Sequence, residues 1–188
     1  MGFSDMKIER SNVGKIAERI VMNELEFRGY RGTDLNKDGL SANADLLATR
    51  RGRVWQVQVK GATNEGYKDW WVQLGHNTQD IINRTARMFN RRNSFYSADL
   101  VVLVAVRSPR EYRCFVLPVL KAERLAQICM DRGYRTARLD GGKKQPGKIW
   151  LWVGPRPKER PRTRDIQKMM MRERKILCAY EDRWNLLR

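Results

Sequence analysis

Residues 44–60 read ADLLATRRGRVWQVQVK, two apolar-rich segments joined at Arg50-Arg51-Gly52. Ala44–Thr49 and Arg53–Lys60 carry the aliphatic, β-branched and aromatic residues of strands, and the glycine suits a tight turn, so the spacing predicts an antiparallel hairpin. Side chains alternate along a strand. Trp55, Val57 and Val59 therefore share one face, and Val54, Gln56, Gln58 and Lys60 the other. The first face is core. The second carries three polar groups, as the water-facing side of any edge strand would. Asp45 changes the weighing, because it opens the first strand, and pairing about the turn sets it beside the Gln58/Lys60 end of the second.

Outward from the hairpin, Val13 to about Arg28 has helical apolar spacing, with Ser11-Asn12 as a cap and Gly29 as a left-handed stop. Residues 30–43 are turn-rich, with room for a short strand. Downstream the pattern predicts a strand over Asp69–Leu74 and a basic helix from Thr78 to about Arg92. A buried strand is expected over Ala98–Val106, another strand over Cys114–Pro118, a helix over Val119–Arg132 and a last strand over Lys148–Val153. Gly154–Arg164, GPRPKERPRTR, reads as a basic linker. Asp165–Leu187 regains helical spacing at Ile166, Met170, Leu177, Tyr180, Trp184 and Leu187, an amphipathic helix expected to dock on its own domain or a sister subunit. The chain thus divides into a domain over 1–153, a linker over 154–164 and a helix over 165–188.

Composition narrows the function. Lys and Arg number 38 against 21 acidic residues, a formal charge of +17, and 41% of the residues are hydrophobic. This is a folded domain whose self-repulsion a polyanion would relieve, and nucleic acid is the polyanion that rewards each neutralised phosphate by counterion release. A membrane surface is the rival, but the N-terminal MGFSDMKIERSN is polar and no apolar run is long enough to span a bilayer, so no membrane partner is expected. The three cysteines, Cys114, Cys129 and Cys178, are widely spaced in apolar surroundings and read as reduced core residues of a cytoplasmic protein. A single histidine, His76, flanked by Gly75 and Asn77, reads as a loop residue and argues against histidine-based zinc catalysis.

An acidic residue opening one strand, a (D/E/Q)-x-K tripeptide ending the next and a glutamate on a preceding helix together resemble the core of the PD-(D/E)XK nuclease superfamily. The matching positions are Glu18, Asp45 and Gln58-Val59-Lys60, and the resemblance runs from about Ser11 to Val119. It implies an α/β fold with a restriction-endonuclease-like mixed sheet core (αβββαβ), here carrying a C-terminal helical extension. Two positions depart from the family pattern: Gln58 stands in place of the second acid, and Ala44 in place of the proline before the aspartate. Glutamine there is similar to the variant in Mrr-type restriction enzymes and some homing endonucleases. An amide oxygen remains a hard ligand, weaker than a carboxylate. The activity implied is Mg²⁺-dependent hydrolysis of DNA by an endonuclease of restriction, homing or Holliday-junction-resolving type, with Mn²⁺ able to substitute and a homodimer to cut two strands. Asp45, Gln58 and the Val59 carbonyl would hold the metal. Glu18 would hold it through water or orient the attacking water, and Lys60 would offset developing charge or act as base.

Plainer readings stand beside these. Asp45 is also a common turn or capping residue, Lys60 an ordinary solvated strand end, Gln58 a surface glutamine and Glu18 part of a packing stripe or a solvated helix edge. Arg84, Arg87 and Arg91, with Arg92, fall at helical spacing and suit a phosphate backbone. Arg50, Arg51 and Arg53 crowd the hairpin turn, and Lys143-Lys144 sit in a glycine-rich loop. One of Trp70-Trp71 is expected to be exposed enough to stack on a base. The alternatives to a nuclease are a non-catalytic DNA-binding protein on the same fold, motivated by the missing acid, and a basic RNA-associated protein.

Overall fold

The computed structural model describes residues 12–36, 44–63, 70–76, 98–108, 110–139, 148–154 and 164–187. The first element is helix α1, Val13–Phe27, whose buried residues Val13, Ala17, Ile20, Val21 and Leu25 recur at three- and four-residue spacing. Such a stripe faces a core by construction. Asn12 occupies the cap position without a side-chain capping bond. Gly29, at φ 77°, turns the chain out of the helix.

The chain then forms β1 (Arg31–Asp34), β2 (Leu46–Arg50) and β3 (Arg53–Thr63). The expected hairpin is present: β2 and β3 pair antiparallel from Leu46↔Val57 to Arg50↔Arg53. Arg51 (φ 50°) and Gly52 (φ 77°) make its two-residue turn, both in the left-handed region that matches the twist of the strands. β3 runs three residues past Lys60. From Val57 to Thr63 it pairs in parallel with the buried β5 (Leu100–Ser108), which pairs antiparallel with β6 (Glu111–Pro118). The sheet order is β1-β2-β3-β5-β6, a mixed five-stranded sheet, and β4 (Trp71–His76) forms a separate antiparallel pair with β7 (Lys148–Trp152). His76 is thus a strand residue by its backbone, paired with Lys148, rather than a loop residue.

Helices α2 (Val119–Leu139) and α3 (Arg164–Cys178) complete an α/β fold of the expected class. α1 covers one face of the sheet over Leu46, Ala48, Val57, Val59 and Val102. The other face packs Val101, Leu103 and Phe115 against Leu125 of α2, Leu74 of β4, Leu151 of β7 and Leu177 of α3. Arg132 of α2 and Glu173 of α3 form a buried ion pair at 2.6 Å.

The last helix is shorter than the spacing predicts. It ends at Cys178, and a 3-10 turn, Trp184–Leu187, follows it. The cause is the open edge of β6. Val116 N donates to the Tyr180 carbonyl and Asp182 N to the Cys114 carbonyl, both at 2.9 Å, so residues 180–182 pair with the strand where a continued helix would leave its edge groups bare. Trp184 and Leu187 then bury in the core under α1, and the Tyr30 hydroxyl donates to the Leu187 carbonyl at 2.6 Å. Cys114 and Cys129 are buried free thiols as expected; Cys178 is exposed. Trp70 and Trp71 are both half-buried. A Cβ on Gly154 would lie 2.3 Å from Trp70 Cγ, while Trp71 meets the Trp152 ring edge-on and carries the Arg132 guanidinium 5.1 Å above it.

Candidate functional site

β2 and β3 bring the hairpin residues together at the end away from the turn. The ladder continues one step beyond Leu46, where Asp45 N donates to the Val57 carbonyl at 3.1 Å. There the backbone pairing gives way to a side chain. Asp45 Oδ2 accepts the Val59 N–H at 2.7 Å and also a hydrogen bond from Gln58 Nε2. Gln58 is 6% exposed, and its Oε1 is buried without a hydrogen-bond partner. Buried acceptors are rarely left unpaired, so this oxygen is an acceptor suited to a positive group.

The electrostatics follow from this crowding. Burial raises the Asp45 pKa above the ordinary carboxylate value, with Asp34 adding to the rise, against the Val59 N–H, Lys60 and Asn36. Burial lowers Lys60, and the Asp45 charge opposes that. Lys60 and Asp45 therefore lie close enough to feel one another directly, as the alternation and the hairpin predict. Glu18, half-buried on α1, is raised by burial first and then by Asp45 and Asp34, while an Asn36 hydrogen bond and Lys15 pull it down. It belongs to the same cluster. Gly61 is what lets α1 approach: a Cβ there would come within 2.8 Å of Ala17 Cβ and 2.9 Å of the Val13 carbonyl oxygen. Glu18 follows Ala17 directly, so the tight seat of the helix on β3 carries Glu18 toward the hairpin acid.

The structure thus gathers Glu18, Asp45, Gln58 and Lys60, with the Val59 backbone among them. Among the described residues no group of three His, Cys, Asp or Glu side chains is placed to hold a metal ion, so a cation here would draw on the amide of Gln58 and on backbone oxygen. Sequence reading missed Asp34 and Asn36, which come from the far side of β2. A four-residue strand inside a turn-rich stretch gave no pattern that singled them out. Of the basic residues, Arg51 and Arg53 are exposed at the hairpin turn, and the Arg50 guanidinium lies over the Tyr30 ring at 5.0 Å. Five residues of strand separate Arg50 from Asp45, about 17 Å at the rise of a β-strand. Arg84, Arg87, Arg91, Arg92, Lys143 and Lys144 lie outside the described residues.

The fold and the cluster define an α/β protein with a half-buried acid–amide–lysine constellation on a hairpin of a mixed sheet. No family model matches the chain, and no curated protein matches it. Among solved structures it is similar to the bacterial homing endonuclease I-Ssp6803I, at a TM-score of 0.44 and 17% identity over 96% of this chain and 92% of that one. Among the described residues no helix is long and apolar enough to cross a membrane.

Proposed function

We propose that this protein is a metal-dependent DNA endonuclease, of restriction, homing or junction-resolving type. The observation that carries the reading is the buried Gln58 Oε1, unpartnered, on a side chain bonded to the Asp45 carboxylate. An oxygen-rich corner of that kind fits a hard divalent cation. Asp45 and Gln58 Oε1 would hold the ion, with the Val59 carbonyl, which in a strand points to the same side as the N–H given to Asp45, and Glu18 through water. Bound there, Mg²⁺ would supply charge neutralisation for a phosphodiester and its leaving oxygen.

The chain's own residues do the remainder. The Val59 N–H and the Gln58 amide fix the Asp45 carboxylate from two sides, so it needs no reorganisation when a cation arrives. Glu18 orients the attacking water from the helix side. Lys60 offsets the negative charge that develops on the phosphate, and its lowered pKa also suits it to accept a proton from water. The charge of +17 supplies the general attraction to a phosphate backbone, with the hairpin arginines as contacts distant from the cut. Cutting both strands calls for two such sites, hence a homodimer. The buried free thiols suit a reducing, intracellular compartment.

A second reading, a non-catalytic DNA-binding protein on this fold, draws on glutamine standing where a second acid would be. Plasmid and branched DNA, incubated with Mg²⁺ and then with EDTA, separate the two. Cleavage that needs the metal, and that Asp45→Ala and Lys60→Ala abolish while DNA retention persists, is the expected result. Cutting by both variants at the wild-type rate would remove the site assignment, and retention without any cutting would leave the binding protein.

A further inference from the structure

β3 is a central strand, paired with β2 on one side and β5 on the other, yet its second face is covered only in part. Val57 and Val59 lie in the core under α1 with Leu46 and Ala48 of β2, so Gln56 and Val54, with their partners Leu47 and Thr49, face the opposite way. So do Thr33 and Arg31 of β1, in register with Leu47 and Thr49. The second core fills that side over β5 and β6 and takes in Ala62 near the end of β3, but among the described residues nothing from β1 or β2. Val54 is accordingly 55% exposed, Arg31 is exposed, and Thr33, Leu47, Thr49 and Gln56 are half-buried. Asp45 and Gln58 form the next row of this face, which therefore runs unbroken from the site to the hairpin turn.

A solvated sheet face is commonplace. What borders this one sets it apart. Its one carboxylate is Asp45 of the site, Arg31 stands on it, and the exposed Arg51 and Arg53 close its far end. Asp99, at the head of β5, turns its own carboxylate to the main chain: Oδ2 accepts the Gln56 N–H, and Asp99 N donates to the Gln56 carbonyl, both at 2.8 Å. Gln56 thus carries its amide, one acceptor and two donors in kind, on a pinned backbone beside the site.

The dimensions are those of a duplex. The major groove of B-DNA admits a two-stranded β-ribbon, and β2–β3 is one. Two residues of strand, about 7 Å, separate Gln56 from Gln58, which matches about two base-pair steps. The stretch of about 17 Å from Asp45 to the hairpin turn matches about five.

We propose that the open face of the β2–β3 hairpin docks in the major groove of duplex DNA, with Gln56 reading a base about two base pairs from the cut and Arg51 and Arg53 on the backbone about five base pairs away. The inference rests on the nuclease reading above and adds to it where the sequence is read. A glutamine amide pairs with N6 and N7 of adenine, so adenine is the base expected.

The test selects bound duplexes from a randomised DNA pool with the full chain in EDTA, so that binding is read without cutting, and then maps the cut in the selected duplex with Mg²⁺. Wild type should enrich one sequence, with adenine about two base pairs from the cut. Gln56→Ala should lose about 5- to 150-fold of discrimination at that position alone, and Gln56→Arg should move the preference to guanine, a change no folding defect produces. Arg51→Ala with Arg53→Ala should weaken binding to every sequence and lower the salt slope by about 2, one for each lost phosphate contact. Arg110→Ala, exposed at the opposite end of the sheet, should leave specificity and slope as they were. No enriched sequence, or one that both Gln56 variants leave unchanged, would overturn the inference, as would tighter and sequence-dependent binding of duplex RNA, whose major groove is too narrow for side chains to read. A selected sequence that follows Gln56 but is never cut would overturn the nuclease reading and leave the docking face standing.

Discussion

An alanine at Gly61 would place its Cβ 2.8 Å from Ala17 Cβ, 2.9 Å from the Val13 carbonyl oxygen and 3.1 Å from Val13 Cγ1. Carbon atoms in good contact sit at about 3.5–4.0 Å, so α1 would have to retreat by roughly 0.7 Å or more. None of the three is the free end of a long side chain: one is the Ala17 methyl, one is backbone and one is a methyl of the short, branched Val13. Overpacking of this kind costs about 1–3 kcal/mol. In a domain of this size each kcal/mol lowers the melting temperature by about 2–4 °C, so a drop of about 2–12 °C is expected. Glu18 moves with the helix, and a displacement of about 1 Å at a reacting centre can cost on the order of 100-fold in rate. The assay pairs thermal melts with initial rates of plasmid cleavage at saturating Mg²⁺, for Gly61→Ala alone and combined with Ala17→Gly. The second change removes the closest carbon and should recover part of both losses. Gly61→Ala melting and cutting as wild type would refute the claim that this close seat of α1 places Glu18.

Two further outcomes follow from ion pairs away from the site. Arg132→Met leaves the Glu173 carboxylate buried without its partner and should cost about 3–5 kcal/mol, whereas Arg132→Met with Glu173→Leu should regain most of that; thermal melts of the three chains decide it. Arg113 donates hydrogen bonds of 2.6 and 2.7 Å to Glu181 and holds its carboxyl below the ordinary value of 4.5. A depressed pKa adds stability above the unfolded value and loses it as the pH falls through the folded one. The melting-temperature gap between wild type and Glu181→Gln should therefore be level at neutral pH, shrink below pH 4.5 and close in stronger acid. It should be small throughout, because both side chains are about one-third exposed.

What sequence made legible was what short-range periodicity encodes. Alternation along Arg53–Lys60 and the glycine turn place Asp45, Gln58 and Lys60 together, and the structure has that register. The run from Leu100 to Val106 reads as a buried strand because both of its faces are covered, by α1 on one side and α2 on the other. Other features depend on distant partners. Tyr180, Trp184 and Leu187 keep helical spacing whether or not the helix continues, and only the unpaired edge of β6 decides that it stops. The pairing of β4 with β7 likewise joins strands whose own residues carry no sign of one another. Glu18 has a half-buried position that its stripe does not specify, since its approach to Asp45 depends on Gly61 lacking a side chain.

The burial of Trp184 and Leu187 beneath α1, with Leu187 bonded to Tyr30 across 157 positions of sequence, has a consequence for biosynthesis. The helix is among the first elements made, but part of its cover is translated only much later. At the usual pace of about 5–20 residues per second, about 8–30 s pass between the two. Through that interval the apolar side of the nascent helix stands partly open to chaperones or to the wrong strand edge, and the seat that aligns Glu18 is unfinished. The cover of α1, and with it the seat of Glu18, is complete only once Leu187 has been made and has folded back onto Tyr30.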